Sequence, residues 1–223
     1  MGSDDLHHKR KAKQTKDLER RKAIRRRYDK VLIVCEGSKT EPLYFEELKD
    51  HYELDTANIK ISGKCGSDPM SVLTHGEELY QQEIDDCNEP FDRVYCVFDK
   101  DTHHSYNQAL NRIKHLKPLD TFFATNSVPC FEVWLLLHFR YSGAPIVASG
   151  NKSAGDRALD ELTRYLPNYK KGNSGTFIEL LDKLPLAKTH AERLNLQCQA
   201  SGTDNPTTLI LDLVHYLQNL KQP

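Results

Sequence analysis

Three acidic side chains stand where two strongly apolar segments of this 223-residue chain end. Glu36 follows the run Lys30–Cys35, and Asp99 and Asp101 follow the run Arg93–Phe98. Short, continuous apolar runs of this kind predict strands that are buried on both faces of a parallel sheet. Ligands of such sheets bind outside the carboxyl ends of the strands, so the three carboxylates are expected to share one edge. Their mutual repulsion would be relieved by a hard cation, which predicts a Mg²⁺ or Mn²⁺ site.

The spacing of the two aspartates supports the same interpretation. Residues i and i+2 of an extended segment point to the same side, so Asp99 and Asp101 could hold one ion together. Lys100, between them, is expected to face the other way. The alternative for one acid at one strand end is an ordinary solvated turn residue. Acids at two such strand ends favour the functional interpretation.

Around these acids the sequence resembles a known family. The segment VLIVCEGSKTEPLYFEEL (residues 31–48), followed by VFDKD (residues 97–101), resembles the Toprim domain and specifically its RloB-like branch. Further segments that look like RloB-type signatures are GSDPMSV (66–72), NSVPCFEVWLLLHF (126–139), NYKKG (168–172) and NPTT (205–208). The resemblance therefore extends over most of the chain from residue 30 onward.

The resemblance implies an activity and a set of roles. Toprim domains occur in topoisomerases, primases and nucleases that act on phosphodiesters with Mg²⁺, and RloB-type proteins are associated with restriction loci and phage defence. It implies a nuclease in which Glu36 is the acid of the first strand and Asp99 and Asp101 hold the metal. Glu132 best matches a further acid after the next strand. Its alternative role is a carboxylate at a helix N-terminus, which the helix dipole favours.

The expected mechanism is hydrolysis of nucleic-acid phosphodiesters, with abortive infection as the biological setting. One ion on Asp99, Asp101 and Glu132, and a second or transient one near Glu36, would activate water and offset charge on the leaving oxygen. Lys39 is the candidate catalytic lysine. The candidate substrate-binding side chains, each of which could instead be merely exposed or packed, are those of Lys39, His103, Ser127, Lys170 and Lys171. Positive charge at the phosphate is the general requirement that the lysines would meet.

Two other functions stay open at the level of sequence. The segment Val94–Thr102 also fits the opening motif of haloacid-dehalogenase-type phosphatases, in which Asp99 would be the nucleophile. The third possibility is a non-catalytic Toprim-like module that binds nucleic acid or a partner. The sequence has no GxxxxGK[ST] motif, so an ATPase subunit would be a separate protein.

The elements that must position these residues alternate along the chain, which predicts an α/β fold with a doubly wound parallel sheet. The predicted strands are Lys30–Cys35, Asn58–Ser62, Arg93–Phe98 and Thr121–Thr125. The predicted helices are Pro42–Leu54, Pro69–Ile84, Ser105–Leu116 and Phe131–Phe139, followed by Asp156–Leu166, Gly175–Leu184, Lys188–Gln197 and Pro206–Leu220. We therefore expect a Toprim-like domain over residues 29–141 and a mainly helical C-terminal region over residues 142–223.

Charge divides the chain unevenly. Residues 1–30 carry 12 Lys and Arg against 5 Asp and Glu, whereas the other 193 residues carry 19 against 27. Residues 1–28 are therefore predicted to form a basic arm, helical from Lys16 to Tyr28, that can bind nucleic acid by neutralising phosphates.

Composition limits the class of protein. The apolar runs are too short to span a membrane, and the N-terminus has no signal-peptide core. The six cysteines are scattered without a CxxC pair, which predicts reduced thiols in a cytoplasmic protein. Cys35 and Cys96 are expected in the core.

Overall fold

The structure is a computed structural model that describes residues 28–54, 58–63 and 65–221. The predicted basic arm, and with it the helix expected from Lys16 onward, lies outside the described residues apart from Tyr28. Within the described ranges, no helix is long and apolar enough to cross a membrane.

A five-stranded sheet organises the fold and confirms the predicted α/β class. Its strands are β1 (Val31–Cys35), β2 (Ile59–Ser62), β3 (Arg93–Asp99), β4 (Phe122–Val128) and β5 (Thr207–Thr208). They lie in the order β2-β1-β3-β4-β5, with the first four parallel and β5 antiparallel to β4. The sequence did not predict β5, because its two residues lie in a segment that was assigned to a helix.

Eight helices and one 3₁₀ turn are described around the sheet. The helices are α1 (Thr40–His51), α2 (Pro69–Asp85), α3 (Tyr106–Ile113), α4 (Glu132–Leu136), α5 (Ala154–Leu162), α6 (Thr176–Leu180), α7 (Leu184–Ser201) and α8 (Ile210–Asn219), with the 3₁₀ turn at Leu181–Lys183. Helix α2 begins where predicted, because Asp68 accepts hydrogen bonds from the amides of Met70 and Ser71 and Pro69 fits the first turn.

Alternate side chains of the central strands enter two different cores, as expected for a sheet covered on both faces. Val31, Ile33 and Cys35 pack with α1, α4 and the C-terminal helices. Leu32 and Val34 pack with α2 and α3 on the other face. Cys35 and Cys96 are fully buried, as the sequence predicted, and none of the six cysteines, all of which are described, forms a disulfide in the structure.

The C-terminal helices share a core with the α/β body. Side chains of α5, α6, α7 and α8 belong to the same apolar cluster as those of β1 and α1. At its centre, fully buried Trp134 donates a hydrogen bond from Nε1 to the Tyr44 hydroxyl at 2.8 Å, and Tyr44 packs edge-on against Phe131 and Phe177. Tyr44 comes from α1 and Phe177 from α6, so this cluster ties the two regions together.

Strand β4 extends three residues further than predicted, and this changes the position of Ser127. The predicted strand ends at Thr125, which leaves Asn126 and Ser127 outside it, but both lie within the strand and are buried. Asn126 donates to the Tyr106 hydroxyl at 2.7 Å, and the Ser127 hydroxyl bonds with that of Thr208 at 2.9 Å. Because these polar groups are hydrogen-bonded, both residues can be buried within the strand.

Candidate functional site

The site lies at the carboxyl ends of β1 and β3, where the order in which successive strands join the sheet reverses. From β1 the chain passes to β2 on one side, and it then returns to place β3 on the other side of β1. Helices α1 and α3 consequently cover opposite faces of the sheet. In open α/β sheets, the crevice at the carboxyl ends of such neighbouring strands is where ligands bind. Glu36 follows β1 and Asp99 ends β3, so both acids lie at this crevice.

Backbone hydrogen bonds fix Glu36 against β3. Its amide donates to the carbonyl of Val97 at 2.9 Å, which extends the β1–β3 pairing by one residue. Its side-chain Oε2 accepts from the amide of Asp99 at 2.8 Å. The Glu36 carboxylate is therefore held in one orientation beside the end of the neighbouring strand.

Four carboxylates border a single cavity of about 300 Å³. They belong to Glu36, Glu41, Asp99 and Glu132, and the cavity is completed by residues that include Lys39, Thr40, Ser67, Lys171 and Gly172. Glu36 and Asp99 come from the ends of β1 and β3. Glu41 comes from α1, and Glu132 is the first residue of α4. Three of the four were predicted from the sequence, whereas Glu41 was not.

Glu132 is the most deeply buried of these acids, with only 1% of its surface exposed. Its Oε1 accepts a hydrogen bond from the Tyr169 hydroxyl at 3.2 Å and lies 3.3 Å from the Lys171 ammonium. Its Oε2 is buried without a hydrogen-bond partner among the described residues. A buried oxygen left unsatisfied is costly, so this atom marks a place where a ligand or a cation would stabilise the protein.

Burial and the closeness of the acids raise the pKa values of three of these carboxyl groups. Burial, together with the nearby charges of Glu132 and Glu36, raises the pKa of Glu41 to about 7. Burial likewise raises the pKa of Asp99 well above its usual range, and the neighbouring acids raise it further. The pKa of Glu36 is raised by burial, although the Asp99 amide and His103 oppose the shift. Without added positive charge, the cavity therefore favours the protonated forms of these three carboxyl groups.

Two glycines allow the walls of this cavity to approach closely. A Cβ on Gly37 would lie 2.7 Å from Oε2 of Glu41, so a larger residue would displace that carboxylate. Gly172 has a φ of +81°, and a Cβ there would lie 3.0 Å from carbons of the Lys39 side chain. The Gly172 amide also donates to Thr40 Oγ1 at 2.9 Å, which docks the C-terminal segment beside the start of α1.

His103 connects Glu36 with a second acid. Its Nε2 lies 3.3 Å from Oε1 of Glu36, and its Nδ1 lies 3.9 Å from Oδ2 of Asp68. Asp68 is fixed in turn, because the hydroxyl of Ser105 donates to the same Oδ2 at 2.5 Å. His103 was predicted from the sequence as a substrate contact, whereas no role was predicted for Asp68.

The two acids of the DxD motif differ in environment. Asp99 is half-buried and lines the cavity, whereas Asp101 is exposed in a turn with a φ of 28° and does not line the cavity. The i, i+2 relation needs extended backbone, and β3 ends at Asp99, so it does not extend to Asp101. Asp101 nevertheless lies near enough to raise the pKa of Glu36. Lys100 points away as expected and pairs with Asp204 at 2.5 Å.

The remaining predicted contacts are divided between the cavity and the surface. Lys39 and Lys171 border the cavity. Lys170 is exposed and is not among the cavity-lining residues, and the buried Ser127 hydroxyl is engaged with Thr208. Glu41 and Tyr169 lie within segments that resemble family motifs, but nothing in their spacing indicates that they converge on the site.

The donor set suits a hard divalent cation, because it consists of carboxylate oxygens with one oxygen unpartnered. Among the residues that the structure describes, however, no group of three or more His, Cys, Asp or Glu side chains is arranged to hold a metal as it stands. The chemistry of the residues thus fits a cation, and occupancy would require the side chains to draw together.

Comparison with known proteins places the chain in a family. Residues 31–217 match the family of RloB-like proteins. This range includes both the α/β body and the C-terminal helices. The chain belongs to the RloB-like family. The site residues described above all fall within the matched range, and membership fits a defence-associated protein. No curated protein and no solved structure matches this family member.

Proposed function

We propose that this RloB-like protein is a Toprim-type nuclease that hydrolyses nucleic-acid phosphodiesters with Mg²⁺ or Mn²⁺. The observation that carries the proposal is that four carboxylates border one cavity at the carboxyl ends of β1 and β3, where the strand order reverses. They belong to Glu36, Glu41, Asp99 and Glu132. Four crowded carboxylates would repel a phosphodiester, so catalysis here depends on added positive charge.

Asp99 and Glu132 are the residues that would hold the ion, with Glu36 at the end of β1 and the exposed Asp101 near Glu36. When bound, the ion lowers the pKa of a water and offsets charge on the phosphate oxygens. Glu36 is oriented by the Asp99 amide and by His103, and burial raises its pKa, which makes this carboxylate a stronger base than an exposed glutamate.

Lys171 supplies positive charge at the cavity. Burial opposes its charged form, but the nearby Glu132, Cys130 and Asp99 together raise its pKa, so the ammonium stays protonated. Phosphoryl transfer depends mainly on positioning and electrostatic stabilisation, and a lysine held against Glu132 can contact a non-bridging phosphate oxygen.

The proposal is tested by incubating the protein with a panel of labelled DNAs and RNAs in Mg²⁺, in Mn²⁺ and in EDTA. We expect cleavage that requires one of the two metals. Release of phosphate from small phosphate esters with a trapped phosphoaspartate at Asp99 would instead identify a phosphatase. Metal-independent binding without any cleavage would identify a non-catalytic module.

A role in phage defence extends the proposal, and family membership supports it. We expect the wild-type gene to lower phage plating in a bacterial host and an Asp99→Asn gene to lose that effect. Any ATPase partner would be found by purifying the tagged protein from the same host.

Lys171 and Lys170 form a matched pair of adjacent lysines. We expect Lys171→Ala to lower the rate of cleavage by about 10- to 100-fold, because it removes a charge at the phosphate. Lys170→Ala removes the same charge from a position outside the cavity and should leave the rate within about twofold. Single-turnover rates with saturating protein measure the difference, and equal effects of the two variants would remove Lys171 from the mechanism.

The basic arm should strengthen nucleic-acid binding. Deletion of residues 1–27 removes 11 Lys and Arg, so we expect weaker binding and a smaller dependence of log K on log salt, by about 0.9 for each phosphate that the arm neutralises in the full-length chain. Filter binding across a salt series with Asp99→Asn protein measures both. If the affinity and its salt dependence are both unchanged, the arm does not bind nucleic acid and serves as a solubilising tail.

A further inference from the structure

A second and larger concave site lies beside α5, away from the four carboxylates. This α5 groove has a volume of about 540 Å³ and is bordered by α4, α5 and the connection that precedes α5. Its floor is apolar and buried, formed by Val133, Leu136, Leu137 and Pro206, with half-buried Ile146 beside them. Its volume is in the range of small-molecule sites, and its lining is divided about evenly between apolar and polar or charged side chains, which suits a ligand that is partly apolar and partly charged.

Helix α5 presents a charged face to this groove. Arg157, Asp160, Glu161 and Arg164 follow the i, i+3, i+4, i+7 spacing of one helical face, and the amide of Arg164 continues the helical turn by donating to the carbonyl of Glu161. Both acids are already engaged in ion pairs. Glu161 pairs with Arg140 at 2.6 Å, and Asp160 pairs with Lys152 at 2.5 Å.

The other two arginines are left uncompensated. In the described ranges, neither Arg157 nor Arg164 forms an ion pair or a side-chain hydrogen bond, although both border the groove. The groove is lined by four basic side chains and two acidic ones, so it carries a net positive charge, although residues 31–223 as a whole carry more acidic than basic residues. Guanidinium groups bind phosphate in a bidentate manner and also stack on planar rings.

We propose that the α5 groove binds a nucleotide, with its phosphate on Arg157 and Arg164 and its base against the apolar floor. The shared chemistry is a phosphate joined to a flat, largely apolar ring, and it can come from a free nucleotide or from one unit of a nucleic-acid strand. The groove and the carboxylate cavity are connected through α4, which carries Glu132 in the cavity and Val133 and Leu136 in the groove. The proposal does not depend on cleavage, because binding is measured without metal.

The test compares two double variants of the full-length chain in EDTA. Arg157→Gln with Arg164→Gln removes both groove charges, whereas Lys114→Gln with Lys117→Gln removes the same number of charges from exposed positions outside the groove. Fluorescence anisotropy with a fluorescent ATP analogue and with a short labelled single strand reports affinity. We expect the groove variant to lose at least about tenfold in affinity for one of these probes and the control variant to lose less than about twofold.

Each result has a defined meaning. Selective loss of ATP-analogue binding identifies a free nucleotide as the ligand, and selective loss of strand binding with no ATP-analogue binding identifies a nucleotide unit of the substrate. Equal losses in both double variants, or no binding of either probe by the wild type, would overturn the proposal. Ser149→Glu, which adds a negative charge at the exposed rim, should also weaken binding, and circular dichroism checks that all variants fold.

Discussion

Asp99→Asn should abolish metal-dependent cleavage, with a loss of about 1,000-fold or more. The substitution keeps the size of a half-buried side chain that lines the cavity but removes a charge that the proposed ion needs. An ion contributes several kcal/mol to the stabilisation of the transition state, and each 1.36 kcal/mol corresponds to a factor of about ten in rate. Cleavage of a labelled strand under single-turnover conditions measures the loss.

The same variant should fold at least as stably as the wild type without metal, because it replaces a carboxyl group whose pKa is raised in the folded protein. Activity and stability therefore change in opposite directions, which separates a catalytic role from a structural one. Asp182→Asn, at an exposed position in the 3₁₀ turn, is the matched control and should change neither. Cleavage by Asp99→Asn within tenfold of wild type would contradict the proposed role.

Glu41→Gln should stabilise the metal-free protein at pH 7 and above by about 3 kcal/mol. The pKa of Glu41 is raised from 4.5 to about 7 in the folded protein, and each unit corresponds to about 1.36 kcal/mol. An acid with a raised pKa binds its proton more tightly when the protein is folded. The contribution of Glu41 to the free energy of unfolding is therefore greatest below about pH 4.5, falls as the pH rises to about 7, and is constant above that.

Urea unfolding in EDTA between pH 4.5 and pH 8 measures this prediction. Wild type should lose stability across the interval, whereas Glu41→Gln should lose less, since Asp99 and Glu36 contribute the remaining dependence in the same direction. Glu192→Gln, at an exposed position of α7, should behave like wild type. A Glu41→Gln protein with the wild-type pH dependence would show that Glu41 is ionised without cost.

The sequence predicted the parts of the fold that local patterns encode. The runs that became β1 and β3 are continuous and apolar, and the acids at their ends were found because parallel strands bring their carboxyl ends to one edge. Strand β5 could not be found this way, because two threonines carry no periodicity and form a strand only by pairing with β4.

The parts of the site that the sequence missed depend on distant contacts. Glu41 lies in the first turn of α1, where its carboxylate reaches the cavity only because Gly37 leaves room. Tyr169 meets Glu132 across 37 residues of sequence, and no spacing rule connects them. Lys170 and Lys171 are adjacent in sequence, and no local pattern indicates that only Lys171 borders the cavity and pairs with Glu132.

The docking of the C-terminal segment onto α1 also has a consequence for the order in which the site is completed during synthesis. The Gly172 amide bonds to Thr40 across 132 residues, and the Phe177 amide bonds to Glu47 across 130 residues. A ribosome has therefore translated most of the chain before Lys171 can reach Glu132. If this protein is a nuclease, the nascent chain holds its carboxylates without their lysine, and the enzyme becomes competent only when translation is nearly finished. A cell would then be spared the activity of incomplete copies.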